Sequence, residues 1–272
     1  MVIVPKISVI MGVYNCKNFA ALNRSVDSII SQSYEDWEFL ICNDGSDDGL
    51  TAKYLDKIKH KDQRIKIISY KENHGLAYAL NYALRFAQGK YIARMDDDDI
   101  SHPNRFDKQV CFLEQNSQYS FVGSNANVFN DTGIWGVLEM PEFPDKSSFF
   151  WNIPFIHPTM MFRKKDLLAV GGYSTDDINR RCEDYTLVMD MYSMGYKGYN
   201  FQECLLDYFY ENGSRKYRPM KDRVAEAKVR FRGYRKNGIF FKGLPFIIKP
   251  LLIGLIPQFI FKKIKDFQYR KK

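Results

Sequence analysis

Four consecutive aspartates, Asp96, Asp97, Asp98 and Asp99, follow directly on the apolar run Tyr91-Ile92-Ala93-Arg94-Met95. Adjacent carboxylates repel one another, and a folded chain tolerates them where something cationic compensates. Clustered carboxylate oxygens suit a hard divalent cation, Mg²⁺ or Mn²⁺, that also takes phosphate oxygens. Such a cation can neutralise a diphosphate leaving group as the bond to it breaks. An acidic run alone is more often a solvated loop; its place at the end of an apolar strand favours the metal reading. Asp44, in the turn Asn43-Asp44-Gly45-Ser46, has two readings: plain Asp-Gly turn chemistry, or an acceptor for a nucleotide base or ribose. Tyr14 either offers an aromatic face to a base or is a half-buried tyrosine at a strand end.

These residues act together only if the chain brings them to one edge. Residues 6–14 form a short Ile- and Val-rich run that predicts a buried strand. Leu22, Val26, Ile29 and Ile30 recur at helical spacing within residues 18–33. A second apolar strand is predicted at 37–42, a helix near 49–59, a strand at 65–70, a helix at 76–88 closed by Gly89, and a strand at 91–95. Farther on, Leu187, Met191 and Met194 define the inner face of a helix that Glu183 and Asp184 open, where carboxylates favour the helix dipole. Alternating strands and helices predict an α/β fold with a mostly parallel central sheet flanked by helices. Ligands of such sheets bind outside the C-terminal strand ends. Val13, Tyr14, Asn15, then Asn43 and Asp44, then Asn73, then the four aspartates fall along that edge.

The chain has 272 residues, 45% hydrophobic and 26% charged, which excludes a disordered or low-complexity protein. Five dispersed cysteines without a CxxC pair argue against a disulfide scaffold or zinc ribbon and for a reducing cytoplasm. The N-terminal run lacks a basic leader and a cleavage site, so no signal peptide is expected. Charge is uneven: residues 213–272 carry 18 Lys and Arg against Asp222, Glu226 and Asp266, a net +15, whereas the whole chain is +8. That leaves −7 on residues 1–212. Bulky apolar residues interleave with the lysines after Gly238. The uncharged stretch between Lys249 and Lys262 is 12 residues, short of the roughly 20 that span a bilayer. Pro245, Pro250 and Pro257 divide it further. The pattern predicts a C-terminal basic and apolar helical extension that lies on an anionic membrane surface through residues 239–272. A nucleic-acid surface would not need so many large aliphatic side chains; a cap packed on the core or on a partner chain is the competing reading.

The runs ISVIMGVYN, ICNDGSDDG, ENHGLAYALNYALRFAQGKYIARMDDDDIS, HPNRF with Gln109, and CEDYTL, in this order and spacing, resemble glycosyltransferase family 2. The resemblance extends over about residues 6–206. It implies a GT-A (Rossmann-like) fold over residues 1–212, with a donor-binding half at about 1–100 and an acceptor half at about 101–212. It also implies an inverting sugar transferase that draws on a nucleotide-diphosphate sugar, by default a UDP-sugar. A bacterial polysaccharide precursor, such as a lipid-linked glycan, is the expected acceptor. The protein is then expected on the cytoplasmic membrane face.

Residue by residue, the resemblance assigns Val13, Tyr14 and Asp44 to base and ribose, and Asn73 to the nucleotide. Asp96, Asp97 and Asp98 match the DXD motif, with Asp96 toward ribose or phosphate and Asp98 as the direct Mn²⁺ or Mg²⁺ ligand. Glu183-Asp184 matches the ED motif, with Asp184 as general base on the acceptor hydroxyl. His157 is assigned to donor diphosphate or acceptor, with a purely structural histidine as the alternative. Phe149, Phe150, Trp151 and Phe155 either line an acceptor groove or belong to the core. Arg180 or Arg181, in a polar loop near the base, is placed to meet an acceptor phosphate. Two departures stand out: Gly12 where many members have proline, and Leu80 where many have an arginine, with Arg94 as the substitute for a diphosphate contact. A nucleotidyltransferase lacks support because no glycine-rich basic loop follows the first strand. A non-catalytic membrane-surface or polyanion-binding protein with a vestigial site is the alternative from another class.

Overall fold

A computed structural model describes residues 4–176, 181–210 and 219–255. The first half alternates β1 (Ile7–Val13), α1 (Phe19–Ile30), β2 (Trp37–Asp44), α2 (Thr51–Ile58), β3 (Ile65–Tyr70), α3 (Leu76–Phe86) and β4 (Tyr91–Arg94). These strands pair in parallel in the order β3-β2-β1-β4, with Ile7 opposite both Trp37 and Tyr91. Every residue of β2 is buried, as expected of a parallel strand covered on both faces. Alternate side chains serve two cores. Val9, Met11 and Phe39 pack with Leu22, Val26 and Leu55 of α1 and α2, while Ile10, Leu40 and Ile92 pack with Leu80 and Leu84 of α3. Asn18 caps α1 by accepting the Ala21 N–H at 3.0 Å.

The second half adds β5 (Ile100–Ser101), α4 (Arg105–Gln115), β6 (Phe121–Asn130), β7 (Gly133–Leu138), β8 (Met161–Arg163), α5 (Lys164–Ala169), α6 (Glu183–Ser193) and β9 (Gly198–Phe209). Here the sheet turns mixed: β8 joins β4 antiparallel, β6 joins β8 antiparallel, β9 runs parallel to β6, and β5 closes the path antiparallel to β9. The all-parallel arrangement is thus confined to the first half, and the second half mixes antiparallel pairs with the parallel β6–β9 pair.

Two local expectations are corrected. Helix α3 ends at Ala87, and Gly89 serves a different purpose from a cap. A Cβ there would lie 2.5 Å from the Ser8 nitrogen and 2.6 Å from the Ile7 carbonyl carbon, so glycine lets the chain press against β1. Met194 closes α6 at 55% exposure rather than facing inward; Leu187 and Met191 are the buried pair.

The C-terminal helices α7 (Met220–Lys236) and α8 (Phe240–Gly254) pack on the body rather than trailing from it. Buried Arg230 donates to the carbonyls of Phe150 at 3.0 Å and Trp151 at 3.3 Å, and Tyr234 Oη donates to that of Phe149 at 3.1 Å. Gly233 fits against Met189 of α6. Helix α8 lies tightly on α7, since Cβ atoms at Gly243 and Gly254 would meet Tyr234 and Arg223 at 2.3 and 2.6 Å. No break in packing therefore separates α7 from the residues before 212. Among the described residues no helix is long and apolar enough to cross a membrane.

Replacing Gly89 by alanine should cost about 2 kcal/mol, because the new methyl meets backbone that cannot rotate away. The urea midpoint measures this, and an unchanged midpoint would mean that the α3–β4 connection can move off β1.

Candidate active site

The C-terminal ends of β1 and β2, the turn before α3 and the first residues of α3 line a cleft of about 570 Å³. Gly12, Val13, Tyr14, Asp44, Asn73, His74 and Gly75 line one side, and Ser174, Thr175, Asp176, Arg181 and Glu183 line the other. Tyr14 is 45% exposed there, whereas Val13 is buried and presents little but backbone.

Asp44 is not an open acceptor. Its Oδ1 accepts from Tyr70 Oη at 2.6 Å and the His74 N–H at 2.9 Å. Its Oδ2 accepts from Asn73 Nδ2 at 2.8 Å and the Gly75 N–H at 2.9 Å. Four donors occupy the lone pairs of one carboxylate, so in this form Asp44 moulds the 73–75 turn instead of awaiting a base. Gly45 permits the closeness: it has φ +63°, and a Cβ would lie 2.3 Å from the Glu72 carbonyl carbon. Tyr70 escaped the sequence reading because nothing local marks a strand-end tyrosine as a partner for Asp44.

The acidic run divides into two anchored and two presented carboxylates. Asp96 pairs with buried Arg94, which also donates to the Met95 carbonyl. Its own carbonyl accepts from Ser25 Oγ at 2.7 Å. Asp99 is wholly buried and accepts the Phe209 N–H at 2.7 Å, tying the loop to β9. Asp97 and Asp98 remain half-buried. Burial, with the charge of Asp96, pushes the Asp97 carboxyl up to about 6. Burial, Asp96 and Asp97 push that of Asp98 up to about 7. The loop stands beside the end of β1, since β4 pairs with β1 and the Met95 N–H donates to the Ile10 carbonyl at 3.2 Å. Arg105, missed as a structural element, secures this ledge: buried, it donates to the Arg94 carbonyl at 2.9 Å and to Gln109 Oε1 at 3.1 Å. Gln109 in turn donates to the Thr159 carbonyl at 2.7 Å.

A divalent cation fits this loop. Asp99 Oδ2 is buried and without a hydrogen-bond partner, and the neighbouring carboxyls are held away from ionisation by crowding that a dication would relieve. Among the described residues no group of three His, Cys, Asp or Glu side chains is arranged to hold a metal by itself. The chain therefore supplies one or two carboxylates, and phosphate oxygens and water would complete the shell.

Glu183 and Asp184 open α6. Burial and the adjacent Asp184 push the Glu183 carboxyl up to about 7, and Arg94 and Asp96 also act on it, which places the pair within the field of the acidic loop. Glu183 lines the cleft; Asp184 Oδ1 accepts its neighbour Tyr185's N–H at 2.7 Å.

One assigned contact is corrected, and two readings left open fall on their structural alternative. Arg94 is fully buried on Asp96, so it braces the loop and does not reach a diphosphate. His157 is buried, hydrogen-bonded to Tyr173 Oη at 2.9 Å and held neutral by burial and by Arg94, which is the structural alternative. Tyr173 is itself fixed by Asn81, whose Nδ2 donates to its carbonyl at 2.6 Å and whose Oδ1 accepts its N–H at 2.9 Å. Phe149 and Phe155 are core, while Trp151 is 66% exposed, with the Lys249 ammonium 5.0 Å from its ring centre and Phe246 against it. Trp151 thus sits where the body meets α8. Arg180 lies outside the described residues.

Residues 8–171 match glycosyl transferase family 2, and the chain belongs to that family. EpsE of Bacillus subtilis (strain 168), a glycosyltransferase by assignment rather than demonstration, is 36% identical over 268 residues, 98% of this chain and 94% of that protein. An Escherichia coli UDP-Gal:alpha-D-GlcNAc-diphosphoundecaprenol beta-1,3-galactosyltransferase is 28% identical over 271 residues, 96% of each. The mannosyltransferase PcManGT from Pyrobaculum calidifontis, solved with GDP-Man and Mn²⁺, shares the fold with a TM-score of 0.63 at 19% identity, over 91% of this chain and 74% of that one. The protein is a glycosyltransferase of the GT-A type.

The raised carboxyls fix a sign for pH dependence. An unfolded carboxyl titrates near pH 4, so Asp97, Asp98 and Glu183 contribute stability present below about pH 4 and lost as pH rises through about 6 to 7. The metal-free protein should lose thermal midpoint as pH is raised from about 5 to 8. His102, raised by Asp207, adds in the same direction, so Asp98→Asn isolates the loop by flattening the fall. An identical slope in that variant would contradict the crowding.

Proposed function

We propose that this chain moves a sugar from a UDP-sugar to a hydroxyl of a lipid-linked glycan during bacterial cell-surface polysaccharide synthesis, inverting the anomeric centre. The observation that carries the reading is the strand-end cleft, where Tyr14 and the turn at Asn73 share a lining with Glu183, the residue before Asp184, while the acidic loop leaves β4 next to β1 in the same sheet. The galactosyltransferase relative, named for a UDP-Gal donor and a diphosphoundecaprenol-linked acceptor, supports the donor and acceptor classes. PcManGT, solved with Mn²⁺, supports a divalent metal.

Tyr14 and the Asp44-ordered turn at Asn73 would receive the nucleoside. Asp98, with Asp97 beside it, would hold Mn²⁺ or Mg²⁺, which when bound offsets the charge of the diphosphate. Asp184 takes the proton of the acceptor hydroxyl as its oxygen attacks the anomeric carbon from the face opposite the diphosphate. Glu183, whose proton affinity lies near neutrality, shapes the field around that proton. One in-line displacement converts an α-linked donor to a β-linked product.

Asp184→Asn should lower kcat about a hundredfold or more while leaving UDP binding intact, and Asp98→Asn should abolish Mn²⁺-dependent UDP binding. Calorimetric titration with UDP, plus single-turnover transfer, separates the two. Should Glu183→Gln rather than Asp184→Asn abolish transfer, the base assignment moves by one residue.

The same reading places the protein at the cytoplasmic membrane face through α8. Phe241, Leu244, Ile248, Leu252 and Leu255 recur at helical spacing and are all exposed, while Gly243, Pro250 and Gly254 face α7. An outward apolar stripe on a strongly basic segment suits the interface of an anionic bilayer. Because the inner face of α8 is packed, deleting it would damage the fold; replacing Phe241, Ile248 and Leu252 by serine should instead release the protein from phosphatidylglycerol vesicles in a flotation assay with an unchanged thermal midpoint. Undiminished flotation would exclude this stripe as the contact.

A further inference from the structure

Resting on the donor reading above, we propose that Arg181 is the side chain that takes the donor's diphosphate, leaving its present partner Asp222 to do so. Among the described residues lining the cleft, Arg181 is the one permanently cationic side chain, and it shares that lining with Asp44, Asp176 and Glu183. A doubly charged diphosphate entering so acidic a cleft requires a counter-charge from the protein in addition to any metal. Arg94, the other arginine in the field of the site, is buried on Asp96 and has no access to the cleft.

The present contact of Arg181 is built to exchange. Its Nη1 stands 3.5 Å from Asp222 Oδ2 on α7, longer than the roughly 2.7–2.9 Å of a charge-assisted hydrogen bond. The arginine side chain is 51% exposed against 17% for that of Asp222, so solvent reaches the guanidinium end of the pair. The backbone carries a second mark: Arg181 has φ +63°, a left-handed conformation that a non-glycine residue adopts at an energetic cost. That conformation sits two residues before Glu183, so the turn that introduces the carboxylate pair also delivers a guanidinium to the cleft. A bidentate fork on phosphate oxygens is the geometry arginine supplies and lysine does not. Asp222 then acts as a parking site that keeps the guanidinium at the rim until the diphosphate arrives.

The test is calorimetric titration of UDP and of uridine, both with Mn²⁺, into the full-length chain and three variants. Arg181→Gln should weaken UDP at least tenfold and leave uridine unchanged, because uridine lacks the diphosphate. Arg181→Lys should fall between. Asp222→Asn should tighten UDP several-fold by removing the competing carboxylate. Wild-type UDP affinity in Arg181→Gln would overturn the assignment. The same affinity with a raised KM for a lipid-diphosphate acceptor would move the arginine to the acceptor side. Absence of UDP binding by the wild-type chain would instead remove the donor reading itself, and this inference with it. Thermal midpoints of all variants, expected within a few degrees of wild type at exposed Arg181 and half-buried Asp222, show that the fold is retained.

Discussion

Beneath four adjacent carboxylates lies a guanidinium with no access to solvent. Arg94 pairs with Asp96, and its charge also draws down the proton affinities of Asp97, Asp98, Asp99 and Glu183 while opposing protonation of His157. A buried cation is costly unless surrounding anions compensate, and buried anions are costly unless a cation does. Each side of this arrangement makes the other tolerable. Its geometry is imposed from outside: Arg105 holds the Arg94 carbonyl, Ser25 holds that of Asp96, and Asp99 is tied to β9. With Asp96 and Asp99 so anchored, Asp97 and Asp98 are left at the strand ends, short of positive charge.

Asp44 shows the same economy at the end of β2. A carboxylate saturated by Tyr70, Asn73 and two backbone N–H groups is spent on structure. It fixes the turn that lines the cleft with Asn73 and His74 on the same side as Tyr14. Rigid placement of such groups lowers the ordering cost of binding. The opposite wall is made by Ser174, Thr175, Asp176, Arg181 and Glu183; Asn81 pins the neighbouring Tyr173, and ion pairs Asp176–Arg232 and Arg181–Asp222 join it to α7. The two walls are thus unequal, one braced by buried bonds and the other by exposed ones.

That asymmetry connects the site to the C-terminal helices. Arg230 and Tyr234 of α7 take the carbonyls of Phe149, Phe150 and Trp151, and α8 stacks Phe246 on Phe150 at 5.0 Å. The outward stripe of α8 is consequently held in a fixed relation to the body of the molecule.

Much of this was legible in the chain alone, for a physical reason. Strand and helix periods, the turn at Asn43-Asp44-Gly45-Ser46, the acidic run after β4 and the carboxylates opening α6 are local patterns, and the strand-end rule assembles them on one edge. The charge split that isolates the last sixty residues is likewise compositional. What depends on distant partners was not legible. Gly89 looks like a helix cap until β1 is seen pressing on it, and His157 looks available until Tyr173 is found on its ring. Arg94 looks like a phosphate ligand until the sheet buries it. The packing of α7 on α6 hides within a sequence that reads first as a membrane-surface extension and only second as a cap on the core, because Arg230 is polar yet fully partnered. Residue types and their order therefore determined which chemistry the protein can perform. Only the tertiary structure decided which of those side chains are spent on holding one another, since burial and long-range hydrogen bonding leave no periodic trace.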